Sequence, residues 1–255
     1  NDKVGEDFTY NLGLNITFTK NKLRKTNELS NIEDYRKSIG QPTSAIFGWQ
    51  SQGLFGKDVA IAGHPFQSFG NYQVGDIAYA DLNNDGMVDN NDQTRIGQSF
   101  PKTTLGVDVT LNYKGFGLYI LGTATTGVTQ MLTSTYYWNK GLDGYSVLAE
   151  DRYHPVNNPT GTQPRLTTTS GVNNYRNSTF WTKNGSFFRL KNVELSYTLN
   201  NNSKKGIGKN YKFFVRGANL FVLSGIKELD PEQMLAGISN YPVYRTITGG
   251  VSINF

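Results

Sequence analysis

The chain has 255 residues, of which 37% are hydrophobic and 13% aromatic, with 15 Tyr, 15 Phe, 28 Gly and a net charge of +5. Few aliphatic residues, many aromatics and a mean hydropathy of −0.47 argue for β structure over helices. The absence of cysteine excludes a disulfide framework, a thiolate metal site and a cysteine nucleophile, and no run approaches the roughly 18 apolar residues of a transmembrane helix. The charge is spread along the chain; the nearest basic patch, Lys204, Lys205 and Lys209, lies in a Gly/Asn-rich turn, which speaks against a nucleic-acid partner. Asn1-Asp2-Lys3 is not a leader peptide, so either one has been removed or the chain starts within something larger.

Seven segments alternate between apolar and polar residues. Phe8 to Phe18 is apolar at even positions, with Thr9, Asn11, Gly13, Asn15 and Thr17 between. Ala45-Phe47-Trp49 is shorter and noisier. Leu105 to Tyr113 alternates with Gly106, Asp108, Thr110 and Asn112, and Phe116-Leu118-Ile120 follows across Lys114-Gly115, a tight hairpin signal. Val193 to Leu199 is the fifth, and Phe213-Val215 with Phe221-Leu223 frames a sixth, weakened by Gly217. The seventh runs from Val243 to Phe255 and ends the chain on an aromatic. Lengths of about 9 to 14 residues suit tilted strands that cross a bilayer; strands of soluble sandwiches are nearer 5 or 6.

The connections are unequal. Residues 114–115 and 200–210 are short turns, whereas 56–101 and 128–185 are long and polar. In outer-membrane barrels the short turns are periplasmic and the long loops extracellular. Counting strands back from a periplasmic C-terminus puts both long insertions outside but makes residues 21–42 a long periplasmic connection, the one misfit; within it, 31–38 has room for one or two helical turns. The expected fold is all-β: the C-terminal part of a large transmembrane antiparallel barrel, or a piece of one that another chain completes. Seven strands do not close such a barrel, because bacterial single-chain barrels have an even count and an open edge in hydrocarbon is costly. The parity carrying Asn15, Asp108, Asn112, Glu194 and Asn254 should face the lumen, the apolar parity lipid.

The sharpest local chemistry is DLNNDGMVDNND over residues 81–92. Asp81, Asn83, Asp85, the Met87 carbonyl, Asp89 and Asp92 occupy the ligand positions of a calcium loop, with Gly86 at the sharp turn. Asp92 stands where such loops usually carry Glu, and the long flanking helices of an EF-hand are missing. Two readings are open: one calcium ion, or an Asx-rich turn whose carboxylates accept backbone amides. His64 and His154, each followed by Pro, read as structural loop residues, and no G-x-S-x-G elbow is present. The scattered carboxylates outside the 81–92 loop do not suggest a hydrolase. Tyr136, Tyr137 and Trp138, followed by Tyr145 and Tyr153, either stack on sugar rings or pack against a lid protein or the membrane rim.

The order of several blocks resembles the C-terminal region of SusC/RagA-type TonB-dependent outer-membrane transporters of Bacteroidetes. They are Gly75-Asp76-Ile77 before Asp81 to Gly86, Ile96-Gly97, Phe100-Pro101-Lys102, Ser178 to Trp181 and Gly185 to Val193. Leu195 to Leu199, Asn219-Leu220-Phe221, Asp230-Pro231-Glu232, Tyr241-Pro242 and the terminal Phe255 complete the run, which spans nearly the whole chain. The resemblance implies a barrel of about 22 strands with an N-terminal plug, energised by TonB, working with a SusD-like surface lipoprotein as lid. It implies import of an oligosaccharide or peptide and no enzymatic activity. The plug, the TonB-contacting region and most of the barrel would lie outside this chain. It also gives Phe255 a role as the signal read by the barrel-assembly machinery, beside the plainer reading of one more girdle aromatic. The alternative of a different class is a secreted, calcium-stabilised β-sandwich adhesin or carbohydrate-binding module.

Overall fold

The computed structural model describes residues 2–4, 7–29, 31–141, 144–167, 172–200, 210–233, 241 and 243–254. Its main element is one sheet of seven strands: β1 (Asp2–Val4), β2 (Phe8–Phe18), β3 (Thr103–Tyr113), β4 (Phe116–Thr126), β5 (Phe187–Asn200), β6 (Asn210–Ser224) and β7 (Thr246–Asn254). Each strand pairs antiparallel with its neighbours in the chain, which makes an up-and-down meander. No helix among the described residues is long and apolar enough to cross a membrane, which says nothing of crossing by strands.

Register explains the alternation. Leu12 pairs with Val109, Val109 with Ile120, Ile120 with Val193 and Val193 with Gly217, and Gly217 with Ile247, so the apolar parities of six strands share one face. A bulge at Lys191 keeps that face continuous: Phe188 and Leu190 lie on it before the bulge, Val193 and Leu195 after it. Large residues on this face stand open, Leu14 at 64% and Ile247 at 72% exposure. Among the described residues no second sheet covers it, as a β-sandwich would require. The other face carries Asn11, Asn15, Asp108, Glu194 and Arg216, and Glu194 is held there by Lys212 Nζ at 2.7 Å and by the Arg216 guanidinium. Tyr113 and Phe116 pair across Lys114 (φ +46°) and Gly115 (φ +87°), a two-residue turn with both central residues left-handed, as the twist of a hairpin demands.

One sequence expectation needs correction. Ala45–Trp49 is not a wall strand; it pairs with Gln93–Gln98 in a separate two-stranded sheet. Gly48 and Trp49 are both buried, so the segment is covered on both faces, unlike a strand with lipid on one side. Residues 19–102 are therefore a single connection, its ends joined by Thr19 N–H donating to the Lys102 carbonyl at 2.8 Å. The strand count stays at seven because β1 takes the vacated place, and the misfit over 21–42 disappears: that stretch lies at the same end as 127–186 and 225–245. The helical turn expected within 31–38 is a single 3-10 turn, Asp34–Arg36. The seventh strand begins at Thr246, three residues later than expected.

All the buried hydrophobic side chains among the described residues come from these three connections, none from the wall. Trp49, Leu54, Ile77 and Tyr79 of the first, Met131, Tyr137, Tyr153 and Trp181 of the second, and Ile226 of the third form one cluster. The long connections thus build a packed cap at one end of the sheet.

Candidate functional site

The cap is where the motif residues converge. Its centre is a polar staple between the first and second connections. Asn174 accepts the Ile77 amide at 2.9 Å and donates to Asp76 Oδ1 at 2.8 Å, and its carbonyl takes the Trp181 indole N–H at 2.7 Å. Gln67 donates to Asn173 Oδ1 at 2.6 Å and accepts the Tyr79 amide at 2.7 Å, while the Tyr79 hydroxyl donates to the Asn173 carbonyl at 2.8 Å. Asp76 completes the staple with the Arg165 guanidinium at 2.8 Å. Asn174, Asp76 and Gln67 are each at most 1% exposed, so every bond replaces water that has left, and losing one strands a buried polar group. Burial pushes the Tyr79 hydroxyl well above the usual phenol range, and it raises Tyr175, beside the staple, to about 12.

A second junction ties the cap to the wall. Arg189 of β5, 3% exposed, places its guanidinium 2.7 Å from both oxygens of Asp230 and 3.3 Å from Glu232, and Lys191 reaches Glu232 at 2.9 Å. Two motif blocks about 40 residues apart, Gly185 to Val193 and Asp230-Pro231-Glu232, are therefore the two halves of one ion-pair network. Ser178 to Trp181 is likewise a contact motif: Thr179 Oγ1 accepts the Ser51 amide at 2.8 Å, and Trp49 N–H donates to the Asn177 carbonyl at 3.0 Å. Arg176 lies over Phe69, its Cζ 3.9 Å from the ring centroid, and its pKa is lowered by burial.

The 81–92 loop forms the compact coil its spacing implies. Asp81 accepts the amides of Asn84 (2.7 Å) and Gly86 (2.9 Å), Asn83 that of Asp85 (3.1 Å), Asp85 that of Met87 (2.8 Å) and Asp89 that of Asn91 (2.6 Å). Gly86 takes φ +86° and Asn84 +58°. Asp92 is buried, with one oxygen on the Leu82 amide and the other on the Asp89 amide, both at 2.7 Å. Asp81 and Asp92 each place both oxygens on backbone amides, and Asp85, exposed, accepts Asn83 Nδ2 at 2.8 Å besides the Met87 amide; of these only Asp92 is buried. No group of three or more His, Asp or Glu side chains converges as a metal cluster among the described residues.

The aromatic run is split by the fold. Tyr137 is 3% exposed and packs in the cap core, its hydroxyl 3.4 Å from Glu228, so it offers no ring face to a ligand. Tyr136 packs edge-on against it and Trp138 leans on Tyr175 and Trp181; both are half-buried. The two histidines are structural: His154 Nδ1 accepts the Val156 and Asn157 amides at 3.2 and 3.0 Å, and His64 meets the Phe55 ring edge-on at 4.8 Å. Phe255, Lys204, Lys205 and Lys209 lie outside the described residues.

Similarity to known proteins agrees with this architecture. No model of a known family matches the chain. The TonB-dependent receptor P26 of Formosa agariphila is 32% identical over 198 residues, 71% of this chain and 20% of the relative. The TonB-dependent receptor SusC of Bacteroides thetaiotaomicron is 25% identical over 265 residues, 99% of this chain and 25% of SusC. The solved RagAB peptide importer in its open-open state shares the fold, with a TM-score of 0.70 at 17% identity over 99% of this chain and 27% of that one. The chain belongs to the SusC/RagA-type TonB-dependent receptors.

As a member of the TonB-dependent receptors it is an outer-membrane β-barrel protein, and its relatives are receptors and transporters, not enzymes. The chain spans about a fifth to a quarter of the length of the curated receptors it matches. Within a TonB-dependent receptor the seven-strand sheet is barrel wall, and its open apolar face is the lipid-facing surface.

Proposed function

We propose that this chain forms part of an outer-membrane importer whose cap, the packed connections at one end of the wall, faces outward and helps to capture the substrate. The observation that carries this reading is the asymmetry of the two ends. Among the described residues the long connections fuse into one core at one end, while the opposite end has the two-residue turn Lys114-Gly115. A cap held by buried hydrogen bonds keeps a fixed shape, as a capture surface or a docking surface for a partner requires. The substrate class is an oligosaccharide or a peptide; the peptide importer among the structural neighbours supports the second. The proposed partners are a SusD-like surface lipoprotein acting as lid over the cap, TonB acting through an N-terminal region, and the plug and remaining strands of the barrel. No nucleic-acid partner is proposed.

The deciding experiment is growth of a strain lacking the protein on a single peptide or oligosaccharide source. Growth should fail, return with the full chain, and fail again without TonB; growth independent of TonB overturns the reading. We further propose one calcium ion on Asp81, Asn83, Asp85, the Met87 carbonyl and Asp89, with Asp92 joining them by releasing the Leu82 and Asp89 amides, supported by the ligand spacing. Chelator should then speed amide exchange at Gly86 and Met87 and added calcium restore it; exchange indifferent to both leaves the loop an Asx turn. Phe255 is proposed as the assembly signal, tested by the yield of folded barrel after Phe255→Ala.

A further inference from the structure

Directly after β2, at the cap end, the chain reads Lys20-Asn21-Lys22-Leu23-Arg24-Lys25. Here the wall meets the first connection around a groove of about 550 Å³. Its lining includes Phe18, Lys20, Lys22, Arg95, Phe100 and Lys102. Lys20 and Lys22 also line an adjoining groove with Arg24, and Arg95 and Lys102 another with Lys183. Among the described residues no carboxylate lines any of the three. Lys20, Lys22, Arg24 and Lys102 enter none of the ion pairs among the described residues. Arg95 is fixed by neutral acceptors only, Gln41 Oε1 at 2.9 Å, Gln98 Oε1 at 3.0 Å and the Gly97 carbonyl at 3.3 Å, so its charge is positioned without being neutralised.

The same groove has an apolar side. Phe18 is the last residue of β2, lies on the lipid-facing parity opposite Thr103 and is 77% exposed; Phe100 is 55% exposed. The groove therefore lies at the rim of the lipid-facing wall, where the acyl-chain zone gives way to the headgroup zone, and its lining combines two aromatic rings with cations that enter no ion pair among the described residues. A soluble anion would use the cations but leave the rings in contact with nothing of its own chemistry. An acylated molecule carrying phosphate uses both.

We infer that this groove seats the phosphorylated headgroup of an outer-leaflet glycolipid, with Lys20, Lys22 and Lys102 facing phosphate and Phe18 facing acyl chain. The inference rests on the proposed outward orientation of the cap. Each cation near an anionic lipid surface contributes roughly fivefold in affinity, so removing three weakens binding roughly a hundredfold.

The test is binding of lipid A, of its dephosphorylated form and of inorganic phosphate to the full chain purified in detergent. Wild type should bind lipid A roughly a hundredfold more tightly than K20Q/K22Q/K102Q does. It should bind the dephosphorylated form about as weakly as that variant binds lipid A, and should not release lipid A to an equal concentration of inorganic phosphate. The charge-keeping variant K20R/K22R/K102R should bind like wild type, which separates loss of charge from loss of fold. Equal binding by wild type and the Gln variant, or indifference to the lipid phosphate, overturns the inference; displacement by inorganic phosphate overturns it in favour of a soluble anion. Val156→Cys, at an exposed position of the cap, reports orientation separately through an impermeant maleimide on whole cells, read against the unsubstituted protein. No labelling means that the outward orientation has failed; labelling without phosphate discrimination means that only the groove assignment has.

Discussion

Asn174→Ala should loosen the cap while leaving the wall intact. The side chain makes three buried bonds: it accepts the Ile77 amide at 2.9 Å and, more weakly, Asn173 Nδ2 at 3.4 Å, and it donates to Asp76 Oδ1 at 2.8 Å. Asp76 keeps Arg165 and the Gln73 amide, each at 2.8 Å, but the Ile77 N–H is left without a partner. Stranding a buried donor costs about 1–3 kcal/mol and the second bond adds a similar amount, so the cap should lose about 3 kcal/mol. That corresponds to roughly a hundredfold rise in local opening. Amide hydrogen exchange on the detergent-solubilised protein reads this directly. The decisive probe is Leu132, whose amide donates to the Trp181 carbonyl at 2.7 Å within the second connection. It should exchange roughly a hundredfold faster in the variant, whereas Ile120 in β4 should not change. If Ile77 alone speeds up and Leu132 holds its rate, the connections are not one cooperative body and the reasoning is wrong.

Leu12→Arg on the open face should cost about 2–4 kcal/mol of barrel stability in lipid, and Asn11→Arg on the other parity close to nothing; urea titration in vesicles measures both. Gly115→Ala should destabilise the hairpin by about 1 kcal/mol or more, because φ is +87° and the new Cβ meets the Thr198 carbonyl at 2.8 Å; its folding yield checks this. Burial holds Tyr175 at about 12, above the ordinary phenol value near 10. A raised folded value gives stability that is complete below pH about 10 and lost as pH climbs through about 12, since only the unfolded chain ionises readily. Cap protection should therefore fall over that window, and Tyr175→Phe should flatten the fall.

The strands were legible because lipid imposes a simple rule: one parity apolar, the other polar, without interruption. That rule marks β2 to β7, at Leu12, Val109, Ile120, Val193, Val215 and Ile247 among others. It misled at Ala45–Trp49, where alternation comes from a short strand covered on both sides, and it overlooked β1, too short at three residues to show a period. The cap core was not legible. Ile77 and Asn174 are 97 positions apart, and nothing local marks Asn174 as anything but a loop residue. The Asp76 and Arg189 motif blocks were visible as blocks, but their meaning as halves of junctions needed the three-dimensional fold. The tight coil of the aspartate loop follows from its spacing, whereas the burial of Asp92 depends on the Leu82 amide, which spacing does not reveal. The basic run from Lys20 to Lys25 was in plain view; it counted as scattered charge because Arg95 and Lys102, far along the chain, complete the groove.

The central claim is that one face of this sheet lies in lipid and the other does not. Nitroxide labels on single cysteines at Leu12, Gly13, Leu14, Asn15 and Ile16, in the membrane-inserted full chain, test it most directly through accessibility to oxygen, which concentrates in hydrocarbon. A period of two is expected, with Leu12, Leu14 and Ile16 high and Gly13 and Asn15 low. Accessibility that is uniform along the strand, or that favours a water-soluble relaxant at Leu14 as strongly as at Asn15, would contradict it.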